Sequence, residues 1–465
     1  MVNAYLLIDF GSTYTKLTAV DLENEVILAT ARDRTTVETD IMEGFSRAYA
    51  KLEAALQDRP VNFVKRLACS SAAGGLKMVA IGLVPELTAE AAKRAALGAG
   101  ARVLKVLDHD ITRRDLAAME ALQPDMILLA GGTDGGNKDC IIHNAQMLAD
   151  HGVKVPVVVA GNKTALDTIE TVFEEKGIYY RVTDNVMPRL NVLQVEPARE
   201  QIREIFMERI TEAKGMHVAQ ELVNGILMPT PAAVLKAAQL LSTGTDLEDG
   251  LGDLVVVDIG GATTDVHSIA EGEPTQPGVT QKGLEEPFAK RTVEGDLGMR
   301  YSALSLWEAG GTRRIRRYLG REDVNIEAGC RHRSEHVDQL PQSTEETAFD
   351  EALAKVAVEL SMDRHAGTIE TLYTPMGPLV SQVGKDLTEI KCLIGTGGVL
   401  VESRNGGEIL RAGLFDEGNP AVLKPREPRL LLDRDYILSA MGLLAQDHPE
   451  IALRILKKSI VDSDC

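Results

Sequence analysis

Leu6-Leu7-Ile8-Asp9-Phe10-Gly11-Ser12-Thr13 and Val255-Val256-Val257-Asp258-Ile259-Gly260-Gly261-Ala262-Thr263-Thr264 are the two stretches that decide the fold. Each reads as an apolar strand tipped by Asp, then one apolar residue, a glycine, and a run of small and hydroxyl residues. Glycine in such a turn lets the backbone come close to a phosphate, and the bared N–H groups and hydroxyls donate to its oxygens. A carboxylate at the strand tip cannot bind phosphate directly. It suits Mg²⁺, which takes oxygen ligands and is held by one or two carboxylates together with substrate phosphates. One such hairpin alone is an ordinary structural turn. Two copies, each opening a β meander, predict facing hairpins that clamp one magnesium polyphosphate. Asp9 and Asp258 would be the carboxylates. Lys16, on the second strand of the first hairpin, either points at the phosphates or is an exposed strand lysine.

Outward from the first hairpin, residues 4–9, 14–21 and 25–30 form three β-rich runs with tight connections, an antiparallel meander. In residues 40–57, Ile41, Phe45, Ala48, Leu52 and Leu56 recur at helical spacing. With a further strand at 64–69, this is the opening of a ribonuclease-H-like unit. From residue 70 to 195 strands and helices alternate, with apolar runs at 126–130, 155–160 and 178–182, which predicts an inserted parallel α/β sheet of Rossmann-like type. Those runs end in Gly131-Gly132-Thr133-Asp134-Gly135-Gly136-Asn137, Gly161-Asn162 and Asp184-Asn185. Either these loops line one pocket outside the strand ends, or they are plain strand-to-helix turns. Residues 196–250 return to the first lobe; there Thr230 reads as an N-cap with Pro231 opening a helix over 231–241. Residues 251–465 form the second lobe, with a meander from 254, helical stretches in 303–361 and a late helix at 437–445. Small residues Ser439, Ala440 and Gly442 on that helix, matched by Ala232, Ala233, Ala237 and Ala238, predict a close crossing that joins the lobes. The expected class is therefore α/β: duplicated ribonuclease-H-like lobes with an α/β insertion in the first, residues 1–69 being its N-terminal part.

Cys392-Leu393-Ile394-Gly395-Thr396-Gly397-Gly398-Val399-Leu400 is an apolar strand running into a glycine turn and helix start, where an adenosine can lie against bare backbone. Thr292-Val293-Glu294-Gly295-Asp296-Leu297-Gly298-Met299-Arg300 either brings Gly295 toward the phosphates or is a structural helix start. Arg313, Arg314, Arg316 and Arg317 read as a solvated helix face, with adenine stacking the lesser alternative. His109, His143, His267 and His365 show no ligand spacing and read as surface or hydrogen-bonded residues.

Composition narrows the function classes. In 465 residues the chain carries 50 Lys and Arg against 69 Asp and Glu, a net charge of −19 that opposes nucleic acid and anionic lipid as partners. No stretch approaches the ~20 apolar residues of a membrane span. The start lacks the pattern of a signal peptide. Five scattered cysteines, Cys69, Cys140, Cys330, Cys392 and Cys465, offer no metal-ligand spacing and fit free thiols in the cytoplasm.

The order hairpin, alanine-rich helix, hairpin, strand with Gly-Thr-Gly-Gly, late helix resembles the phosphate and adenosine motifs of the actin, hexokinase and heat-shock-chaperone superfamily. Carried over, the resemblance makes Asp9 and Asp258 the metal-binding carboxylates, adds Lys16 to them as catalytic residues, puts Gly11, Ser12, Thr13, Lys16, Gly260, Gly261, Ala262 and Thr263 around the phosphates, and puts Gly395, Gly397 and Gly398 against the adenosine. Within that superfamily, LLIDFGSTYTKLTAVD, ILLAGGTDGGN, VVVDIGGATTDVHSIA and VEGDLGMRYSA resemble the MutL/GlmL family that accompanies glutamate mutase, unrelated to the mismatch-repair proteins also called MutL. That resemblance implies ATP and Mg²⁺ as ligands, slow ATP hydrolysis, and action as a reactivating chaperone on an adenosylcobalamin-dependent aminomutase. A homodimer is an assembly it leaves open. One departure stands out: heat-shock chaperones carry Glu-Pro-Thr where this chain has Met228-Pro229-Thr230, so the carboxylate that orients water is missing. The alternatives are a small-molecule kinase, for which no cleft base stands out, and a filament-forming actin relative. An iron–sulfur activator does not fit the cysteine spacing.

Overall fold

The computed structural model describes residues 2–36, 40–57, 59–71, 76–210, 226–375 and 377–463. Cys465, and residues 72–75 and 211–225 of the stretches assigned above to the insertion and the returning first lobe, lie outside the described residues.

The first-lobe sheet has the order Ile226–Pro229, Val61–Ser70, Val2–Phe10, Tyr14–Asp21, Val26–Arg34. Val2–Phe10 runs antiparallel to Tyr14–Asp21 and parallel to Val61–Ser70. The second sheet has the order Ala289–Glu294, Thr264–Ile269, Leu254–Ile259, Cys392–Thr396, Arg429–Asp433, Ile460–Asp462. Here Leu254–Ile259 runs antiparallel to Thr264–Ile269 and parallel to Cys392–Thr396. Numbered within its own lobe, the first sheet reads 3-2-1-4-5 and the second 3-2-1-4-5-6, in each case an antiparallel meander continued by parallel strands, with an antiparallel sixth strand, Ile460–Asp462, at the edge of the second. The same ribonuclease-H-like topology thus occurs twice in one chain, the duplication expected of an actin-like ATPase fold.

Between the fourth and fifth strands of the first lobe stands a wholly parallel sheet, ordered Arg102–Leu107, Lys77–Ile81, Met126–Leu129, Val157–Val159, Tyr180–Val182. Its three later strands are shorter than the apolar runs that signal them. A small third sheet, Val279–Lys282 with Gly377–Val383 and Thr368–Thr374, was not read from the sequence.

Local physics accounts for the elements near the site. Asp40 accepts the Met42 N–H and starts the helix Ile41–Leu56, which buries Ile41, Phe45, Ala48, Leu52 and Leu56, the stripe read from the sequence. Burial of each large side chain there contributes ~1.5–3 kcal/mol. The helix Thr230–Thr243 begins one residue earlier than expected: Pro229 holds the N-cap position, and no side chain caps it. Thr230 is therefore not a cap, and its hydroxyl is engaged elsewhere. This helix crosses Leu438–Leu444, where a Cβ at Gly442 would collide with the Ala233 carbonyl oxygen. The small residues matter because the two helix backbones touch.

Other readings resolve plainly. Arg314 and Arg317 pair with Glu359 and Arg316 with Glu322. Cys69, Cys140, Cys330 and Cys392 are buried free thiols. His143 bonds the Ile111 carbonyl and exposed His109 bonds Asp108. His365 is held by Thr292 and Ser268. His267 departs from expectation: it is fully buried and neither ring nitrogen is hydrogen-bonded. Among the described residues no helix is long and apolar enough to cross a membrane.

Candidate nucleotide site

The two hairpins have equivalent geometry. Gly11 N–H donates to the Tyr14 carbonyl at 3.1 Å, and Gly260 N–H to the Thr263 carbonyl at 2.9 Å. A Cβ on Gly11 would lie 2.5 Å from the Tyr14 oxygen, and one on Gly260 3.1 Å from the Thr263 oxygen, so the first turn excludes a side chain and the second barely has room for one. Asp9 lies opposite Lys16 in its ladder, and Asp258 opposite Asp265 in its own. Across the cleft the hairpins nearly touch: a Cβ on Gly261 would sit 2.9 Å from Thr13 Oγ1. That hydroxyl is buried and has no hydrogen-bond partner. An unsatisfied donor is rare in a protein interior, and this one stands where the two turns meet.

Charge concentrates behind the turns. Lys16 Nζ is 2.7 Å from Asp9 Oδ2 and 3.9 Å from the centre of the Tyr436 ring. Asp9 also accepts from Thr230 Oγ1 at 2.6 Å and Ser439 Oγ at 2.9 Å. One hydroxyl comes from each of the two crossing helices, so the carboxylate of the first hairpin is tied to the joint between the lobes. Burial acts to lower the Lys16 pKa, but Asp9, Tyr436 and Asp258 outweigh it and hold the ammonium charged. Burial raises Asp258 most strongly; Lys16 opposes this, while Asp265, Asp9 and Asp433 add to it, and the result is about 7. Burial likewise raises Tyr436, to about 12, with Lys16 opposing and Asp258, Asp9 and Asp433 reinforcing. Lys16 thus faces the carboxylates of Asp9, Asp258 and Asp433, a surplus of negative charge suited to a divalent cation, while Asp265 is paired with Arg291.

The strand that carries Gly395-Thr396-Gly397-Gly398 joins the site through its register. Thr396 pairs with Asp258 in the parallel ladder, and its hydroxyl donates to Asp433 at 2.9 Å. Asp433 in turn accepts the N–H groups of Ile437 and Leu438 at the start of the late helix. Gly397, at φ +99°, lies against the Ile259 backbone with no space for a side chain, whereas Gly398 faces open space. Gly395 is packed among Leu400 and Leu410, so its small size serves the core. Gly295 meets the Arg102 guanidinium from the inserted sheet. The turn that follows braces the second hairpin: Met299 and Arg300 N–H groups donate to Gly260 and Gly261, and Ser302 Oγ to Ala262. Thr263 Oγ1 donates to Asp265 Oδ2 at 3.1 Å.

Sequence reading missed Asp265, Asp433 and Tyr436, and it gave Thr230 and Ser439 other duties. Asp265 had a signal, since it follows Thr263-Thr264 at the hairpin position that Lys16 holds in the first copy. Tyr436 has a signal only in its backbone: it is a non-glycine residue at φ +55°.

Whether the residues fit a magnesium nucleotide turns on the donor set. Among the described residues no three His, Cys, Asp or Glu side chains are grouped closely enough to hold a metal by themselves. Mg²⁺ held by one or two carboxylates, waters and phosphates needs no such cage. The unpaired Thr13 hydroxyl, the bare Gly398 and the carboxylate surplus fit such a ligand.

Twin ribonuclease-H-like lobes with apposed Asp-Gly hairpins define an actin-like ATPase fold. The MutL protein family profile matches residues 5–460. The chain is also 66% identical over 460 residues to the Protein MutL of Clostridium tetanomorphum, across 99% of this chain and 100% of that one. The chain belongs to the MutL family. Among solved structures it is similar to the Clostridium difficile activator of 2-hydroxyisocaproyl-CoA dehydratase with bound ADPNP (9% identity, 98% and 95% of the two chains covered, TM-score 0.30). Gluconate kinase of Lactobacillus acidophilus (10%, 98% and 92%, 0.36) and Plasmodium falciparum glycerol kinase with ADP (10%, 99% and 94%, 0.34) are comparable. At such scores these likenesses carry no argument.

Proposed function

We propose that the protein is an ATP-dependent reactivating chaperone for an adenosylcobalamin-dependent aminomutase of the glutamate mutase type. The observation that carries the nucleotide part is the apposition of the two hairpins, with Thr13 unsatisfied against Gly261. Membership of the MutL family supports the partner. In this reading Asp9 and Asp258 hold Mg²⁺, the turn N–H groups and Thr13 hold phosphates, and the backbone at Gly397 and Gly398 meets the adenosine. Bound magnesium would supply charge neutralisation for the phosphates. Lys16, already charged beside Asp9, orients that carboxylate and faces the same space.

Met228 is buried at the position where a water-orienting carboxylate would be expected from heat-shock chaperones. Slow hydrolysis follows, and it suits a conformational timer better than a metabolic kinase, since closure biases a partner only while nucleotide stays bound. Ties from Asp9 to both crossing helices give closure a route to the joint between lobes. The test is to incubate an aminomutase inactivated with damaged cobalamin with the protein, adenosylcobalamin and ATP. Restored activity that requires ATP supports the reading; an enzyme that stays dead with or without ATP refutes it. Stoichiometric phosphorylation of a metabolite would establish the kinase alternative.

A further inference from the structure

Between the first helix of the inserted unit, Glu90–Gly98, and its second strand, Arg102–Leu107, lies a short loop wedged into the lobes. On one side stands buried Arg291, from the strand Ala289–Glu294. Its Nη1 donates to the carbonyls of Leu97 at 2.9 Å and Ala101 at 2.8 Å, while Nε and Nη2 reach Asp265 Oδ1 at 2.8 and 2.6 Å. Asp265 is the ladder partner of Asp258. One guanidinium therefore connects the second hairpin to the carbonyl end of the inserted helix, where a cation is favoured by the helix dipole. On the other side, Gly100 at φ +95° packs against the connecting helix: a Cβ there would lie 2.8 Å from Pro229 Cβ and 3.3 Å from Ala232 Cβ. The next residue, Thr230, donates to Asp9. Arg102 adds a third contact, against Gly295.

Both hairpins thus reach one loop by short chains of buried contacts, through Asp265 and Arg291 from the second lobe and through Thr230 and Pro229 from the first. We propose that the loop 98–102 is where the inserted α/β unit reads nucleotide state, with Arg291 as the positioning residue that couples it to the second hairpin. Movement of the lobes about the Ala233–Gly442 crossing must either carry this loop along or break the Arg291 bonds. Breaking them would leave a buried guanidinium and a buried carboxylate unpaired, which is strongly unfavourable. Coupled movement is the lower-energy course. The inference rests on the nucleotide reading above and adds its output: the insertion is the element that ATP repositions.

Hydrogen–deuterium exchange on the full chain, with and without Mg²⁺ and a non-hydrolysable ATP analogue, tests it. Expected are slowed exchange in both hairpins and a change of at least ~5-fold over residues 90–107, the lower end of an allosteric coupling. In Arg291→Met the hairpins should still respond while the 90–107 response disappears. A merely structural Arg291 would raise exchange over 90–107 in both states and leave the nucleotide-dependent difference intact, which overturns the proposal. If Arg291→Met does not fold by circular dichroism, Gly100→Ala perturbs the loop from the other side, and an unchanged 90–107 response there also overturns it. Hairpins that respond while wild-type 90–107 does not sink the coupling alone. Silence in the hairpins sinks the nucleotide reading with it.

Discussion

Asp258→Asn should make the nucleotide-free protein more stable at pH 8 while abolishing magnesium–nucleotide binding. Burial, with Lys16 opposing and Asp265, Asp9 and Asp433 reinforcing, moves this carboxyl from its ordinary 3.8 to about 7. A carboxyl raised on folding binds more protons in the folded than in the unfolded chain between those values. Its contribution to stability therefore falls as pH rises from about 4 to about 7 and is lowest above that. At ~1.4 kcal/mol per pH unit the interval sets a ceiling of ~4 kcal/mol. Solvent reaching the cleft and the attraction of Lys16 reduce the expected gain of the amide to ~1–3 kcal/mol. Urea unfolding of both proteins at pH 5 and pH 8 measures it: the variant's advantage should be small at pH 5 and largest at pH 8. Calorimetry with Mg²⁺ and an ATP analogue gives the functional half, with wild-type affinity rising through pH 7 and none in the variant. A variant no more stable than wild type at pH 8, or an advantage that is the same at both pH values, refutes the electrostatic account of the site.

Thr13→Val removes a buried hydroxyl that has no partner. Stability should hold or rise by up to ~1 kcal/mol, while nucleotide affinity drops ~5–10-fold in calorimetry for the lost hydrogen bond. Gly442→Val drives a side chain into the Ala233 backbone, and thermal unfolding should show a loss of ~3 kcal/mol together with weaker nucleotide binding, because Ser439 on the same helix leaves Asp9. His267, fully buried, is pushed down to about 3 chiefly by burial, which Asp265 opposes and Arg291 assists. Stability from a base held neutral in this way is lost as pH falls from about 6.5 toward 3. His267→Leu should therefore be within ~1 kcal/mol of wild type at pH 7 and ~1–2 kcal/mol more stable at pH 5 by urea unfolding.

The hairpins were legible because their signal is local. An apolar run, a tip carboxylate and a glycine turn fix the backbone within a dozen residues, and the helix Ile41–Leu56 declares its buried face by spacing alone. Small residues likewise announced the crossing of the two late-meeting helices. Thr230 shows the limit of such reading: as a hydroxyl before a helix it looks like a cap, and only the neighbouring strand reveals that its proton goes to Asp9. Gly395, Gly397 and Gly398 are equivalent in a string, yet one is packed in the core, one fits against Ile259 and one faces open space.

By itself the sequence determined the twin lobes, the insertion between strands of the first, and the acidic tips of both turns, since each follows from patterns repeated over short stretches of chain. Tertiary structure alone decided the company those tips keep. Lys16 beside Tyr436, Ser439 and Thr230 on Asp9, and Arg291 bridging Asp265 to the inserted helix join residues distant in the chain. A strand's alternation states which side is buried, but what lies across that side is set only when the lobes pack.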